Sequence, residues 1–259
     1  PHKLIEIIRS ISLSFGAIQL EDFRAPECFE IESELMKTLD IPIMHDDQHG
    51  TATVVLSALL SVAKRLNLDL SECAIGQIGL GAAGIGICNL ILHYGAKKVF
   101  GSDIQKSAMN RLESIGGHAV SLSDLMKMSD IVIATTGVKN LIKPEMVKKG
   151  QVILALSNPE PEIEPEVAMA QGASFAVDGK SVNNVLGFPG IFKGALKAKA
   201  KKITKTMLIA AAQSLSEQAS GSYLVPEPLN RSVHEHVTEA VYQAAKAENT
   251  NQSGSLYER

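Results

Sequence analysis

Residues 73–86 read CAIGQIGLGAAGIG, an apolar run that meets three glycines and passes straight into a second apolar run closed by Gly95. Gly79, Gly81 and Gly84 are spaced G-x-G-x-x-G between a strand pattern and a helix pattern. Each glycine has a physical task in such a turn. The first allows the chain to reverse tightly, the second lets a pyrophosphate approach the backbone, and the third lets helix and strand pack closely. The helix opening also offers unpaired amide donors to an anion. Asp103 ends the next strand, 19 residues after Gly84, where an acid can bind a ribose 2′-hydroxyl. Gly79, Gly81, Ala82, Ala83, Gly84 and Asp103 are therefore the candidate dinucleotide contacts. The charge of Asp103 would repel a 2′-phosphate and favours NAD, while Lys106 close behind could accommodate NADP. A glycine-rich turn without a ligand is the plainer alternative, and the neighbouring pattern argues against it.

That pattern alternates strand and helix. Strand signals lie at CAIGQIGL, KKVFGSD, HAVSL, DIVIATTG, QVILALSNP and ASFAVDG. Helical stretches separate them, among them one at KPEMVKKG and one over LMKMS capped by Ser123 and Asp124. The alternation predicts an α/β fold with a doubly wound parallel sheet, Rossmann-like, over about residues 72–180. Upstream, GAIQL and IPIM are short strand candidates, 25–39 is a helix, and a strongly apolar helix runs from Thr51 to Leu66. Helices are expected over 188–200, 204–220 and 231–247. The chain opens at Pro1 within a helical pattern, which reads as a piece of a longer parent chain.

Two acidic pairs end the two upstream strands, Glu21-Asp22 and Asp46-Asp47. Carboxylates gathered in one place disfavour joint ionisation unless a cation joins them, and an all-oxygen set suits Mg²⁺ or Mn²⁺. His45 and His49 are four apart, as in a zinc motif. Asp follows the first histidine instead of Glu, Gly50 follows the second and Pro42 lies ahead, so zinc fits poorly. Asp46 or Asp47 could equally cap a helix starting near Gly50, and local sequence does not choose between cap and metal site. Asn158 stands at a strand's C-terminal end, and Asn183 and Asn184 follow the last strand. Amides there can bind a carboxylate or a carboxamide, although each is also an ordinary turn residue.

A net charge of -3 gives no reason to expect nucleic acid or an anionic membrane, and the six lysines between 193 and 205 read as a solvated helix face. No uninterrupted apolar stretch approaches the ~18 residues of a transmembrane helix. Three cysteines without a CxxC pair fit a reducing, cytoplasmic setting.

Taken in order, FGAIQLEDF, APECFEIE, IPIMHDDQHGTA, GLGAAGIGI, SNPEPEI and VNNVLGFPGIFKGAL resemble the malic enzymes, specifically the shorter bacterial members. The likeness extends from about residue 3 to 247, and LEDF followed by HDDQHGT is its most specific part. It implies oxidative decarboxylation of (S)-malate to pyruvate and CO₂ with NAD (or NADP) and Mg²⁺ or Mn²⁺. By motif it implies Glu21, Asp22 and Asp47 as metal ligands and Asp46 as the acid that pairs with the catalytic lysine. It places Asn158 and Asn184 by malate and nicotinamide, Asn183 adjacent, and Thr51 nearby. The dinucleotide domain, about 46–183, would be inserted in a smaller α/β metal and substrate domain formed by 1–45 and 184–259. The expected partners are malate and pyruvate and further copies of the chain, as a homodimer or tetramer.

The family's lysine base, tyrosine acid and substrate-binding arginine precede the segment where this chain begins. Neither Tyr94, Tyr223 nor any lysine present is assigned to those roles. Malolactic conversion with bound NAD and a non-catalytic nucleotide-binding piece are the rival expectations. An amino-acid dehydrogenase would leave the two acidic pairs unexplained.

Overall fold

The structure is a computed structural model that describes residues 1–181, 184–221 and 223–254, and side chains for all of these except 181, 184 and 249–254. The chain forms two compact units, one made of Pro1–Ser57 with Asn184–Arg259 and the other of Ala58–Asn183.

In the first unit, α1 (His2–Ile11) and α2 (Glu27–Thr38) flank a pair of parallel strands, β1 (Ile18–Leu20) and β2 (Ile43–His45). Ile5, Ile8, Leu20, Ile31, Leu35 and Ile43 form its core, which follows from the apolar stripe on each helix meeting the short strands. Three helices, α8 (Phe188–Lys197), α9 (Lys205–Gln218) and α10 (Arg231–Gly254), pack on one another. Thr204 caps α9 by accepting from the Met207 N–H.

α3 (Asp46–Leu66) begins at Asp46 rather than near Thr51. Two aspartates in a first turn complement the positive end of the helix dipole, so the polar HDDQHG stretch is helical from its second residue. The acidic pair thus has neighbouring positions on a rigid helix.

The second unit holds a parallel six-stranded sheet of β3 (Ala74–Ile78), β4 (Lys98–Ser102), β5 (His118–Ala119), β6 (Ile131–Ala134), β7 (Val152–Ala155) and β8 (Phe175–Asp178). Its order is β5-β4-β3-β6-β7-β8. The order in which strands are added reverses between β3 and β6, the switch point of a doubly wound parallel sheet, where a crevice forms at the strands' C-terminal ends. β6 and β7 are wholly buried, as their unbroken apolar sequences require of central parallel strands. Helices α4 (Ala82–Tyr94), α5 (Lys106–Ser114), α6 (Leu122–Met128) and α7 (Pro165–Ala170) complete the unit.

Two local expectations differ. KPEMVKKG gives only a short 3-10 turn at Pro144–Met146, too brief to gain from helix propagation. α6 is capped by Ser121, whose hydroxyl accepts from the Asp124 N–H, so the helix starts before Ser123. All three cysteines are buried and none forms a disulfide, and burial pushes the Cys88 thiol up to about 12. Among the described residues no helix is long and apolar enough to cross a membrane.

Candidate functional site

The register of β1 on β2 pairs Leu20 with His45 and so sets Glu21-Asp22 beside Asp46-Asp47. Asp22 adopts a left-handed backbone, φ 60°, and its own N–H donates to Asp47 Oδ2 at 2.9 Å. Glu21 Oε2 accepts from the Gln19 amide at 3.0 Å. Glu21 and Asp22 are exposed, the Asp47 side chain is 35% exposed, and Asp46 is buried. Among the described residues no three His, Cys, Asp or Glu side chains converge closely enough to hold a metal ion as they stand. The all-oxygen donor set, with Glu21 and Asp22 exposed beside Asp47, fits a hard divalent cation.

Asp46 is held in place by what is missing opposite it. A Cβ on Gly50 would lie 1.9 Å from Asp46 Oδ1, so glycine at that turn of α3 is what leaves room for the carboxylate. Helix propensity alone would make Gly50→Ala stabilising by about 1 kcal/mol. The clash reverses that sign, because the buried carboxylate must leave its position. Gly50→Ala is expected to lower stability by ~1–3 kcal/mol in urea unfolding. A stabilised variant would show that the Asp46 position is not constrained.

Behind these residues lies a buried polar chain that sequence reasoning missed. Glu32 of α2 accepts from the His45 N–H at 2.7 Å and from Gln48 Nε2 at 3.2 Å, and its Oε2 lies 3.0 Å from His49 Nε2. Gln48 Nε2 also lies 3.0 Å from His45 Nδ1. On the far side of the ring, His45 Nε2 is 3.1 Å from Asp47 Oδ2, near enough for attraction but not aligned as a hydrogen bond. Burial opposes ionisation of Glu32. The His49 hydrogen bond and charge and the His45 N–H outweigh it, holding the carboxyl below its ordinary 4.5. Burial lowers the His45 imidazole below 6.5 despite Asp47 and Glu32. The one sequence signal for Glu32 is its spacing, since Cys28, Ile31, Glu32 and Leu35 all lie on the buried stripe of α2. A cavity of about 370 Å³ is lined by Glu32 and His49 but by none of the acidic pairs, so volume alone does not mark this site.

In the second unit the glycine loop is built as its spacing requires. Gly79 has φ +84°, and a Cβ there would lie 2.8 Å from the Thr135 carbonyl oxygen, across the switch point. A Cβ on Gly84 would lie 1.9 Å from the Gly79 carbonyl oxygen, which is the close helix–strand approach that excludes any side chain. Gly81, by contrast, faces open space and starts α4 with no side-chain cap. The first amides of α4, at Ala82 and Ala83, are thereby left for an anion. Buried Gln77 donates its amide to the Ile78 and Gly79 carbonyls and to Thr135 Oγ1. Asp103 accepts from the Leu80 N–H at 2.7 Å and the Gln105 N–H at 2.8 Å, which fixes the carboxylate at the end of β4 beside the loop. Each oxygen keeps a second acceptor site for a ribose hydroxyl.

Asn158 is exposed beyond the end of β7. Asn183 lies outside the described residues, and Asn184 is described only as the start of a 3-10 turn. Thr51 lies within α3.

A family profile described as malic enzyme, NAD binding domain, matches residues 165–246. NAD-dependent malic enzyme 1 of Bacillus subtilis (strain 168) is 55% identical over 95% of this chain and 56% of its own length. A bifunctional malic/malolactic enzyme of the same organism is 36% identical over 94% of this chain and 66% of its length. The crystal structure of the NAD-dependent malic enzyme of Thermotoga maritima superposes with a TM-score of 0.84 at 34% identity, covering 93% of this chain and 70% of that one. This chain belongs to the malic enzymes. As a malic enzyme chain it spans just over half the length of the Bacillus subtilis NAD-dependent relative. Its parallel α/β architecture is shared with the Thermotoga maritima malic enzyme, over 93% of this chain.

Proposed function

We propose that the protein carrying this chain oxidatively decarboxylates (S)-malate to pyruvate and CO₂, reducing NAD, with Mg²⁺ or Mn²⁺ bound by Glu21, Asp22 and Asp47. The pairing of Leu20 with His45, which brings the two acidic pairs to adjacent strand ends, carries this reading. A divalent cation supplies Lewis-acid stabilisation of the negative oxygen that develops on the substrate. The chain's own residues do the rest of what it contributes. Asp47 is braced by the Asp22 N–H and by His45, and Asp46 is held buried to orient the lysine supplied elsewhere in the protein. The amides at the start of α4 hold the cofactor's phosphates and Asp103 its ribose. By motif, Asn158 and Asn184 would sit by malate and nicotinamide, with Asn183 adjacent.

The fixed carboxylate of Asp103 favours NAD over NADP, in keeping with the name of the Bacillus subtilis NAD-dependent relative. The surroundings are taken as cytoplasmic and the assembly as a homodimer or tetramer, without nucleic acid or membrane. Malolactic conversion is the second reading, favoured by the bifunctional relative.

The test is to incubate the full protein with malate, Mn²⁺ and either NAD or NADP. Pyruvate with stoichiometric reduced cofactor is the expected result, faster with NAD. Lactate without net reduction would replace it with the malolactic reading. Cofactor binding without any malate turnover would leave a nucleotide-binding protein and overturn both.

A further inference from the structure

Glu162 lies within the SNPEPEI motif and is fully buried, yet no role so far uses it. Its carboxylate gathers the ends of two sheet strands. Oε1 accepts from the Thr136 N–H at 2.7 Å, from Thr136 Oγ1 at 2.8 Å and from Ser157 Oγ at 2.5 Å. Oε2 takes a longer contact, 3.4 Å, from the Ser157 N–H. Ser157 Oγ in turn accepts from the Gly137 N–H at 2.7 Å, and the Glu162 carbonyl accepts from the Ile142 N–H at 3.0 Å. All the donors to the carboxylate are neutral. The side chain therefore fastens the loop after β6, at 135–137, to the loop after β7, at 156–158.

Those loops have a definite place relative to a bound dinucleotide. The phosphates belong at the start of α4, over β3, and the adenosine ribose at Asp103, at the end of β4 on one side of β3. The other half of the molecule must run to the opposite side of the switch point, over β6 and β7. We propose that Glu162 is the positioning residue of this nicotinamide half-site. Its carboxylate, whose donors are all neutral and which forms no ion pair among the described residues, also biases binding toward the oxidised, positively charged ring over the neutral reduced one. This rests on the dinucleotide reading above. A negative charge in a poorly solvated region attracts a cation across several ångströms, so contact with the ring is not required. A purely structural buckle would have no reason to distinguish the two redox forms.

The experiment measures affinities of the full protein for ADP-ribose, NAD⁺ and NADH by calorimetry, as wild type, Glu162→Gln and Ser157→Ala. ADP-ribose lacks the nicotinamide and monitors the phosphate and adenosine half alone. In Glu162→Gln, ADP-ribose affinity is expected to stay within about twofold, NADH to weaken by about threefold, and NAD⁺ by about tenfold or more. Ser157→Ala keeps the charge and loosens the buckle, so NAD⁺ and NADH should weaken together by about threefold. It also serves if Glu162→Gln fails to fold. Parallel weakening of all three ligands in either variant overturns the positioning role, as does no weakening at all. Equal loss of NAD⁺ and NADH in Glu162→Gln overturns the charge bias. A wild type that binds none of the three would instead remove the dinucleotide reading itself.

Discussion

Asp47→Ala is expected to cut Mn²⁺-dependent malate turnover by on the order of a thousandfold, the scale reached when a fixed electrostatic partner of the reacting oxygen is lost. Mn²⁺ affinity, read by electron paramagnetic resonance of the free ion, should fall with it. ADP-ribose affinity should not change, because the glycine loop belongs to the other unit. Asp47→Asn separates ligation from bracing. It keeps an acceptor for the Asp22 N–H, so the fold around β1 and β2 is retained while a charged ligand is lost. Survival of both turnover and Mn²⁺ affinity in Asp47→Ala would move the cation elsewhere.

Glu32→Ala should be the most destabilising of these substitutions. It strands the buried His45 N–H and the Gln48 amide together and removes the partner of His49, at a cost of about 3 kcal/mol in urea unfolding. The acid limb of stability carries a second signature. The folded carboxyl lies below its unfolded value of 4.5, so its contribution is complete above that pH and is lost as pH falls through the lowered folded value. Glu32→Gln should flatten that limb of the stability profile while costing less at neutral pH. A loss under about 1 kcal/mol in Glu32→Ala would mean the buried chain is not holding the β2–α3 corner.

The glycine loop was legible because its cause is local. The backbone at Gly79 and the packing at Gly84 are demands that only glycine meets, and they sit next to the strand and helix they join. The central strands β6 and β7 were legible for a similar reason, since buried parallel strands need continuous apolar runs. The start of α3 was not, because Asp-Asp-Gln-His-Gly has the composition of a turn. Its helicity comes from following β2 directly and from two acids at the positive end of the dipole. Glu32 is one of four glutamates between 27 and 34, and what singles it out is the end of β2 arriving over it. Glu162 is likewise one of several acids among prolines in PEPEIEPE. Its burial depends on two loops meeting, which no spacing encodes. The acidic pairs could be proposed from sequence, but their adjacency depends on the β1–β2 register.

The Gln77 amide holds the Ile78 and Gly79 carbonyls and Thr135 at once, so the turn leading into α4 is already shaped before any cofactor arrives. Fixing a residue's backbone costs about 1–2 kcal/mol, and at Gly79 that cost falls on folding rather than on association. The cofactor thus meets a receptor whose amides already point outward. More of its contact energy is then retained as affinity, and capture does not have to wait for the loop to find its form.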